Sequence, residues 1–347
     1  MKKVHIIGTV GVPACYGGFE TLVDNLLDSN EFDITVYCSA QTYKDRKASS
    51  YKNAKLVYVP LNANGTQSIV YDIYSMICTV LKKADVILVL GVSGCIFLPV
   101  LKRITNAKII TNIDGLEWRR DKWSPLAKSF LKKSEALAVK YSDVVVSDNK
   151  AIADYVNKEY GCGSEVIAYG GDHAISSGQV AGDRDYAFTV CRIEPENNIA
   201  MILKAFSLVS KKLIIVGNWN NSQYGVDLRK QYLSCDNIEM LDPIYDNEKL
   251  AELRAYCSCY IHGHSAGGTN PSLVEMMHFG KFTICFDCNY NRETTNNKAV
   301  YFKDEQELAK IINSAQYFGN NPEMLTVAQE RYTWAKIREE YYKIITS

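Results

Sequence analysis

Short apolar runs of strand length recur along this chain, and helical patterns separate many of them. They lie at residues 3–8, 34–38, 56–59, 86–90, 108–111 and 144–147, then, after 166–168, at 186–191, 213–216, 238–241, 259–261 and 282–286. Such runs, rich in Val, Ile and Leu, mark strands buried on both faces. Helical patterns lie between them at 69–82 and 126–141, and later at 198–209, 222–233 and 247–256. That alternation folds as a parallel sheet covered on both faces. A polar, glycine-containing stretch at 170–185 interrupts the series, which then restarts. The expectation is an α/β protein of two doubly wound Rossmann-like domains, 1–178 and 179–325, facing a central cleft. Helices are expected at 308–317 and 323–345, and the final segment, 326–347, is expected to return to the first domain. A chain of 347 residues is long enough for two such cores.

Charge and cysteine content narrow the function classes. Lys+Arg and Asp+Glu both number 39, so the formal net charge is zero, which argues against a dedicated nucleic-acid binder. The first residues show no charged segment leading into an apolar run, so no secretory signal is expected. No apolar run reaches the length of a membrane span. The eleven cysteines are scattered through apolar segments, as at Cys38, Cys78, Cys191 and Cys285, which fits reduced thiols in a cytosolic chain. Cys257 and Cys259 have strand spacing and Cys285 and Cys288 straddle a strand end, so no zinc is expected, nor any other metal.

The stretch from His262 to Gly280, H-G-H-S-A-G-G-T-N-P-S-L-V-E-M-M-H-F-G, carries the strongest chemistry. It follows a strand, Gly267 and Gly268 allow a tight turn, Asn270 suits a helix N-cap and Pro271 the first helical position. The helix should stop near Gly280. Free N–H groups at its start would hold an anion. Glu275 lies about one turn in, and helical side chains lean toward the N-terminus, so its carboxylate could reach a ligand held there. Phosphates on Gly268, Thr269 and Asn270 and sugar hydroxyls on Glu275 would describe a nucleotide-sugar pocket. The alternative is an ordinary strand–turn–helix with a surface glutamate. His262 and His264 alternate at the strand end and can line that pocket, whereas His5 and His278 read as structural.

Three other stretches follow strands. The loop from Gly8 to Gly18 opens a helix near Phe19 without the G-x-G-x-x-G fingerprint of dinucleotide folds. Gly17 and Gly18 could let a phosphate or sugar approach the backbone, or simply make a turn. The second domain opens with C-R-I-E-P-E-N-N. Its Arg192 could clamp a diphosphate bidentately, with Glu196 and Asn197 beside it, or pair with Glu194 or Glu196 at the surface. T-N-I-D-G-L-E-W-R-R-D-K-W at 111–123 places Asp114 and Glu117 after a strand, where Asp114 either makes a turn or faces a substrate. From Glu117 to Lys133 there are six basic residues (Arg119, Arg120, Lys122, Lys128, Lys132, Lys133) against two acidic (Glu117, Asp121), with aromatic residues interleaved. That composition suits either an anionic membrane surface or a solvated basic helix.

Taken together, Y-G-G-F-E-T at 16–21, D-G-L-E-W-R-R-D-K-W at 114–123, R-I-E-P-E-N-N at 192–198 and G-G-T-N-P-S-L-V-E-M at 267–276 resemble the retaining GT-B glycosyltransferases of the GT4 class. The chain is most similar to bacterial rhamnosyltransferases of capsule and cell-wall polysaccharide assembly that have an N-terminal domain of unknown function. The resemblance implies a dTDP-L-rhamnose donor, an undecaprenyl-diphosphate-linked sugar acceptor, no metal cofactor, and a peripheral place on the cytoplasmic face of the inner membrane. It implies catalytic roles for Asp114, Arg192 and Glu275. It implies substrate contacts from Gly17, Gly18, Glu117, Glu196, Asn197, His264, Gly268, Thr269 and Asn270. The chain departs from the wider class in three places. Gly267 stands where the first of two glutamates is usual, no basic residue follows near Asn197, and Asp114 replaces a common histidine. Two other functions remain open: a UDP-hexose transferase of the same fold, and a non-catalytic partner subunit.

Overall fold

The computed structural model describes residues 1–347 except 16, 29, 45–47, 121–122, 176–181, 183 and 315–317. Tyr16, Asp121 and Lys122, and the end of the helix expected at 308–317, therefore lie outside the described residues. The chain divides into two compact units, Met1–Ala168 with Ile337–Ser347, and Tyr169–Lys336.

Unit 1 runs β1 (Lys3–Ile7), α1 (Gly18–Leu26), β2 (Asp33–Ser39), β3 (Ser50–Tyr51), β4 (Ala54–Val59), α2 (Ser68–Leu81), β5 (Val86–Leu90), α3 (Leu98–Ile104), β6 (Lys108–Asn112), α4 (Pro125–Tyr141), β7 (Val144–Ser147), α5 (Lys150–Tyr160) and β8 (Glu165–Val166). Among the described residues its sheet has eight strands in the order β3-β4-β2-β1-β5-β6-β7-β8, parallel except for the β3–β4 pair. The chain steps one way from β1 and the other way from β5, so the order reverses between those two neighbours. Every residue of β5 is buried, because a central parallel strand is covered on both faces.

Unit 2 runs β9 (Tyr186–Val190), α6 (Ile199–Phe206), β10 (Lys212–Val216), α7 (Gln223–Gln231), β11 (Ile238–Leu241), α8 (Asn247–Tyr256), β12 (Cys259–His262), α9 (Pro271–Met277), β13 (Phe282–Phe286), α10 (Asn289–Thr294), β14 (Val300–Phe302), α11 (Glu305–Asn313) and α12 (Pro322–Arg331). Its strands are all parallel, in the order β11-β10-β9-β12-β13-β14, and the order reverses between β9 and β12. One core gathers Ile202, Phe206, Leu213, Ile215, Trp219 and Ile261.

The last helix, α13 (Trp334–Thr346), crosses from the residues of unit 2 into those of unit 1. In unit 1 the buried Tyr341 hydroxyl accepts from Asn112 Nδ2 at 2.8 Å, and Tyr342 donates to the Leu26 carbonyl at 2.8 Å. Lys2 Nζ donates to the carbonyls of Ile345 and Thr346, and Lys108 Nζ to that of Ile344, placing cations on the negative end of the helix.

Among the boundaries that differ from expectation, two are set by contacts from distant parts of the chain. The continuous pattern at 323–345 is two helices, because the Tyr332 carbonyl accepts from Gly171 N (2.8 Å) and is bonded by His278 Nε2 (2.9 Å). Asp172 Oδ1 then accepts from Trp334 N at 2.8 Å and opens the second helix. The units divide at 168/169 rather than 178/179. The first residues of the glycine-containing stretch pack into unit 2, where a Cβ on Gly171 would stand 2.6 Å from the Val274 carbonyl oxygen.

Candidate active site

In open parallel sheets, ligands bind beyond the carboxyl ends of the strands where the strand order reverses. In unit 2 that point lies past β9 and β12. The loop after β9 carries Arg192, Glu194, Glu196 and Asn197, and the loop after β12 carries His264 to Asn270. The two loops are tied together. Ser265 donates both its N–H and its hydroxyl to the Glu196 carbonyl, each at 2.9 Å. Asn198, in the left-handed region at φ 52°, donates to the Gly263 carbonyl at 2.8 Å. Asn197 is buried and its amide donates to the Arg192 carbonyl at 2.7 Å, so it shapes the loop instead of presenting that amide to a ligand.

The exposed Arg192 side chain stands 3.7 Å from Glu194, a long ion pair of the kind solvent weakens. Glu196 Oε1 and Glu194 Oε2 are buried atoms without a hydrogen-bond partner among the described residues. His262 and His264 stack, with ring centroids 4.3 Å apart and planes 10° apart. Burial holds the His262 imidazole down to about 3, so it is neutral at ordinary pH.

The strand–turn–helix forms as its residues require. Gly267 has φ 114°, a conformation L side chains rarely adopt. Asn270 accepts from Ser272 N at 3.1 Å, with Pro271 first in the helix. The helix proper ends at Met277, two residues short of expectation. Bonds from the N–H groups of His278, Phe279 and Gly280 to carbonyls three residues back tighten the last turn, and Gly280 leaves it at φ 59°. Thr269 is buried and Gly268 half-buried.

Glu275 is engaged more heavily than the sequence suggests. Its carboxylate pairs with the guanidinium of Arg254, which is buried on α8, and stands 3.5 Å from His173 Nε2. Burial alone would raise this carboxyl. The charge of Arg254 and the hydrogen bond and charge of His173 outweigh burial and hold it below its ordinary value. Arg254 Nε is buried without a partner among the described residues. Sequence reasoning singled out neither Arg254 nor His173. Each is distant in the chain and lies in a segment with no motif.

In unit 1 the reversal lies past β1 and β5. The loop after β1 is pinned by Glu20 of α1, a buried carboxylate that accepts from Thr9 Oγ1 (2.8 Å) and Val10 N (2.7 Å). Sequence reasoning missed this role too. Gly17 precedes α1 at φ 110°, where a Cβ would meet Glu20 Oε2 at 2.2 Å, and Gly18 begins the helix. Past the neighbouring β6, Asp114 sits in the left-handed region at φ 61°, its N–H donating to Asn112 Oδ1 at 2.9 Å. Aspartate enters this region more readily than most side chains, and the bond to Asn112 Oδ1 is that of a side-chain-closed turn, so the backbone here has the turn the sequence allowed. The carboxylate of Glu117 faces its own loop, accepting from Trp123 Nε1 and pairing with Arg120 Nε, both at 3.0 Å.

The basic segment is partly occupied. Arg119 lies over the rings of Trp118 and Tyr155 at 5.1 and 5.3 Å. Lys132 sits among Tyr155, Glu159 and the buried Glu135. Glu135 also accepts from Trp118 Nε1, Tyr155 and Tyr160. No helix among the described residues is long and apolar enough to cross a membrane.

Residues 1–172 match the family model described as a domain of unknown function (DUF1972), and residues 173–326 match the glycosyl transferases group 1. No curated protein matches the chain. Among solved structures, sucrose-phosphate synthase from Thermosynechococcus elongatus is 13% identical, over 99% of this chain and 98% of that one, with a TM-score of 0.81. Anabaena HepE in complex with UDP-glucose is 13% identical over 100% and 99%, with a TM-score of 0.74. A glycosyltransferase from Rickettsia africae is 12% identical over 99% and 97%, with a TM-score of 0.71. At these identities the likeness is one of fold. With two Rossmann-like units in place and a group 1 model matched across the second, the protein is a glycosyltransferase of the GT-B type.

Proposed function

We propose that the protein is a retaining rhamnosyltransferase that moves L-rhamnose from dTDP-L-rhamnose to an undecaprenyl-diphosphate-linked sugar, without a metal ion, at the cytoplasmic face of the membrane. The observation that supports donor binding in unit 2 is the meeting of the Arg192–Asn198 and His262–Asn270 loops at the strand-order reversal. The four sequence stretches shared with rhamnosyltransferases support the sugar. In this reading Arg192 receives the diphosphate, with Gly268, Thr269 and Asn270 at the phosphates, and His264 and Glu275 face the nucleotide-sugar. Asp114 orients the acceptor, with Gly17, Gly18 and Glu117 around it. The bond from the anomeric carbon to the phosphate oxygen breaks and a bond to the acceptor oxygen forms on the same face. The acceptor's proton passes to the departing phosphate, whose negative charge Arg192 stabilises as it develops.

A second reading, transfer from a UDP-hexose, draws on the UDP-glucose bound by HepE. Incubating the full chain with dTDP-L-rhamnose or UDP-glucose and synthetic lipid-linked sugars, with products identified by mass, separates the two. Rhamnosylated lipid is the expected product. Hexosylated product alone would establish the second reading, and no turnover of either donor would leave a non-catalytic partner subunit.

A further inference from the structure

Helix α2 turns Asp72, Ser75 and Thr79 inward beside Tyr71 and Met76. The Ser75 and Thr79 hydroxyls are satisfied within the helix, by the carbonyls of Tyr71 (2.8 Å) and Met76 (2.7 Å). The outward side is apolar: Val70, Tyr74, Ile77 and Leu81 are 56, 44, 42 and 76% exposed. Their spacing sets them one above another along a single stripe. On α3, Val100 and Ile104 are one turn apart and 43 and 51% exposed.

The sheet order puts these two helices together. The crossovers β4–α2–β5 and β5–α3–β6 step in the same direction between parallel strands. Right-handed connection therefore lays α2 and α3 on one face of the sheet, with their C-terminal ends at the same edge, and the two helices pack against each other. At that edge α2 leads into Lys82 and Lys83, and the last turn of α3 carries Lys102 and Arg103, all exposed. Lys102 is bridged to Asp143 at 2.6 Å. Asp72 is the only acid in either helix, and it is buried.

An outward apolar stripe of this length marks a surface that something covers. We propose that α2 and α3 form the face by which unit 1 docks on an anionic lipid surface. Ile77, Leu81, Val100 and Ile104 enter the headgroup–acyl boundary, Tyr74 sits at the interface, and the basic ends meet lipid phosphates. Charge selects this occupant. A two-fold contact with a second copy would set the same patch, and so the same bases, against itself, whereas lipid phosphates neutralise them. The basic segment at 117–133 suits the role less well, since Arg119, Arg120 and Lys132 already have aromatic or acidic partners. The inference rests on the membrane part of the proposed function and gives it a location.

The test is co-sedimentation of the full chain with vesicles of phosphatidylcholine containing phosphatidylglycerol, and with phosphatidylcholine alone, in the absence of any sugar donor. The wild type is expected to partition onto the anionic vesicles and to be released by salt. Ile77→Glu with Leu81→Glu should lower partitioning at least ~10-fold. Lys82→Ala with Lys83→Ala should lower it roughly 10-fold. Because all four side chains are exposed, both variants should melt as the wild type does. Three outcomes would overturn the proposal: no wild-type binding to anionic vesicles, α2 variants that bind like wild type, or a solution dimer without vesicle binding that the α2 variants dissolve. With no donor present, none of these bears on sugar transfer, and a failed transfer assay would leave vesicle binding standing.

Discussion

Glu275 shares its carboxylate between Arg254 and His173, and that sharing changes what a substitution there does. Glu275→Gln leaves the buried Arg254 without its counter-charge, which costs about 3–5 kcal/mol in comparable sites. A lowered melting temperature is therefore expected beside a roughly tenfold loss of donor-dependent kcat/KM, the latter from one charge-assisted hydrogen bond. The double variant Glu275→Gln with Arg254→Met separates the two effects. It should regain stability while donor kinetics stay depressed, and donor kinetics that recover together with stability would make Glu275 purely structural. Asp114 allows a cleaner test. Asn occupies the left-handed region as readily as Asp, so Asp114→Asn keeps the turn at φ 61° and removes only the charge. Transfer should collapse with folding and donor binding unchanged, and near-normal transfer at saturating acceptor would reduce Asp114 to a turn residue. Glu275 and Asp114 could be singled out in the sequence because each follows a strand-sized run and a glycine or turn signal. Arg254, His173 and Glu20 could not, because what makes them matter is the partner each finds through the fold.

At the level of elements, the buried strands at the centre of both sheets were readable from their unbroken apolar runs, since burial on two faces leaves little room for polar alternation, whereas the short outer strands β3 and β14 carry no such run and were not expected. Helix α2 shows the limit of that reasoning. The helix is legible, but the stripe Val70, Tyr74, Ile77 and Leu81 is exposed while Asp72, Ser75 and Thr79 are buried with Tyr71 and Met76. Burial pushes the Asp72 carboxyl up to about 8, the Gly94 N–H opposing it. The folded chain therefore holds a proton that the unfolded chain releases, and stability falls as pH rises from about 4 toward 8. Asp72→Asn keeps the shape and removes the titration. Its melting temperature relative to wild type should rise steadily between about pH 5 and about pH 8. A constant difference across that range would mean that Asp72 is ionised in the folded protein. The break between α12 and α13 was illegible for the opposite reason. The apolar period continues through it, and the interruption comes from Gly171 and His278, which claim the Tyr332 carbonyl from far along the chain.

For the whole molecule, the restart of the strand–helix alternation foretold two units, and the sheets have the predicted parallel order of such folds. The position of the division was less visible. Polarity and glycine marked 170–185 as connecting chain, yet Gly171 and Asp172 hold tight contacts that only the folded unit 2 supplies. The segment Ile337–Ser347 belongs to unit 1 through buried Ile337, Tyr341 and Ile345 and through the bonds to Asn112 and Leu26. A chain ending at Lys336 should show two separate calorimetric transitions, with unit 1 melting first and unit 2 near its normal temperature. A single unshifted transition would show that the segment adds nothing to unit 1.

That same segment sets an order of events on the ribosome. Unit 2 is made from one uninterrupted stretch and can close as soon as Lys336 has left the exit tunnel. Unit 1 is translated first, but the helix that completes it is encoded more than a domain later. Until Ile337–Ser347 emerges, the Asn112 side chain lacks its Tyr341 partner and the apolar surface that receives the helix is open to water. The half of the protein that is translated first is thus the half whose last helix is translated last.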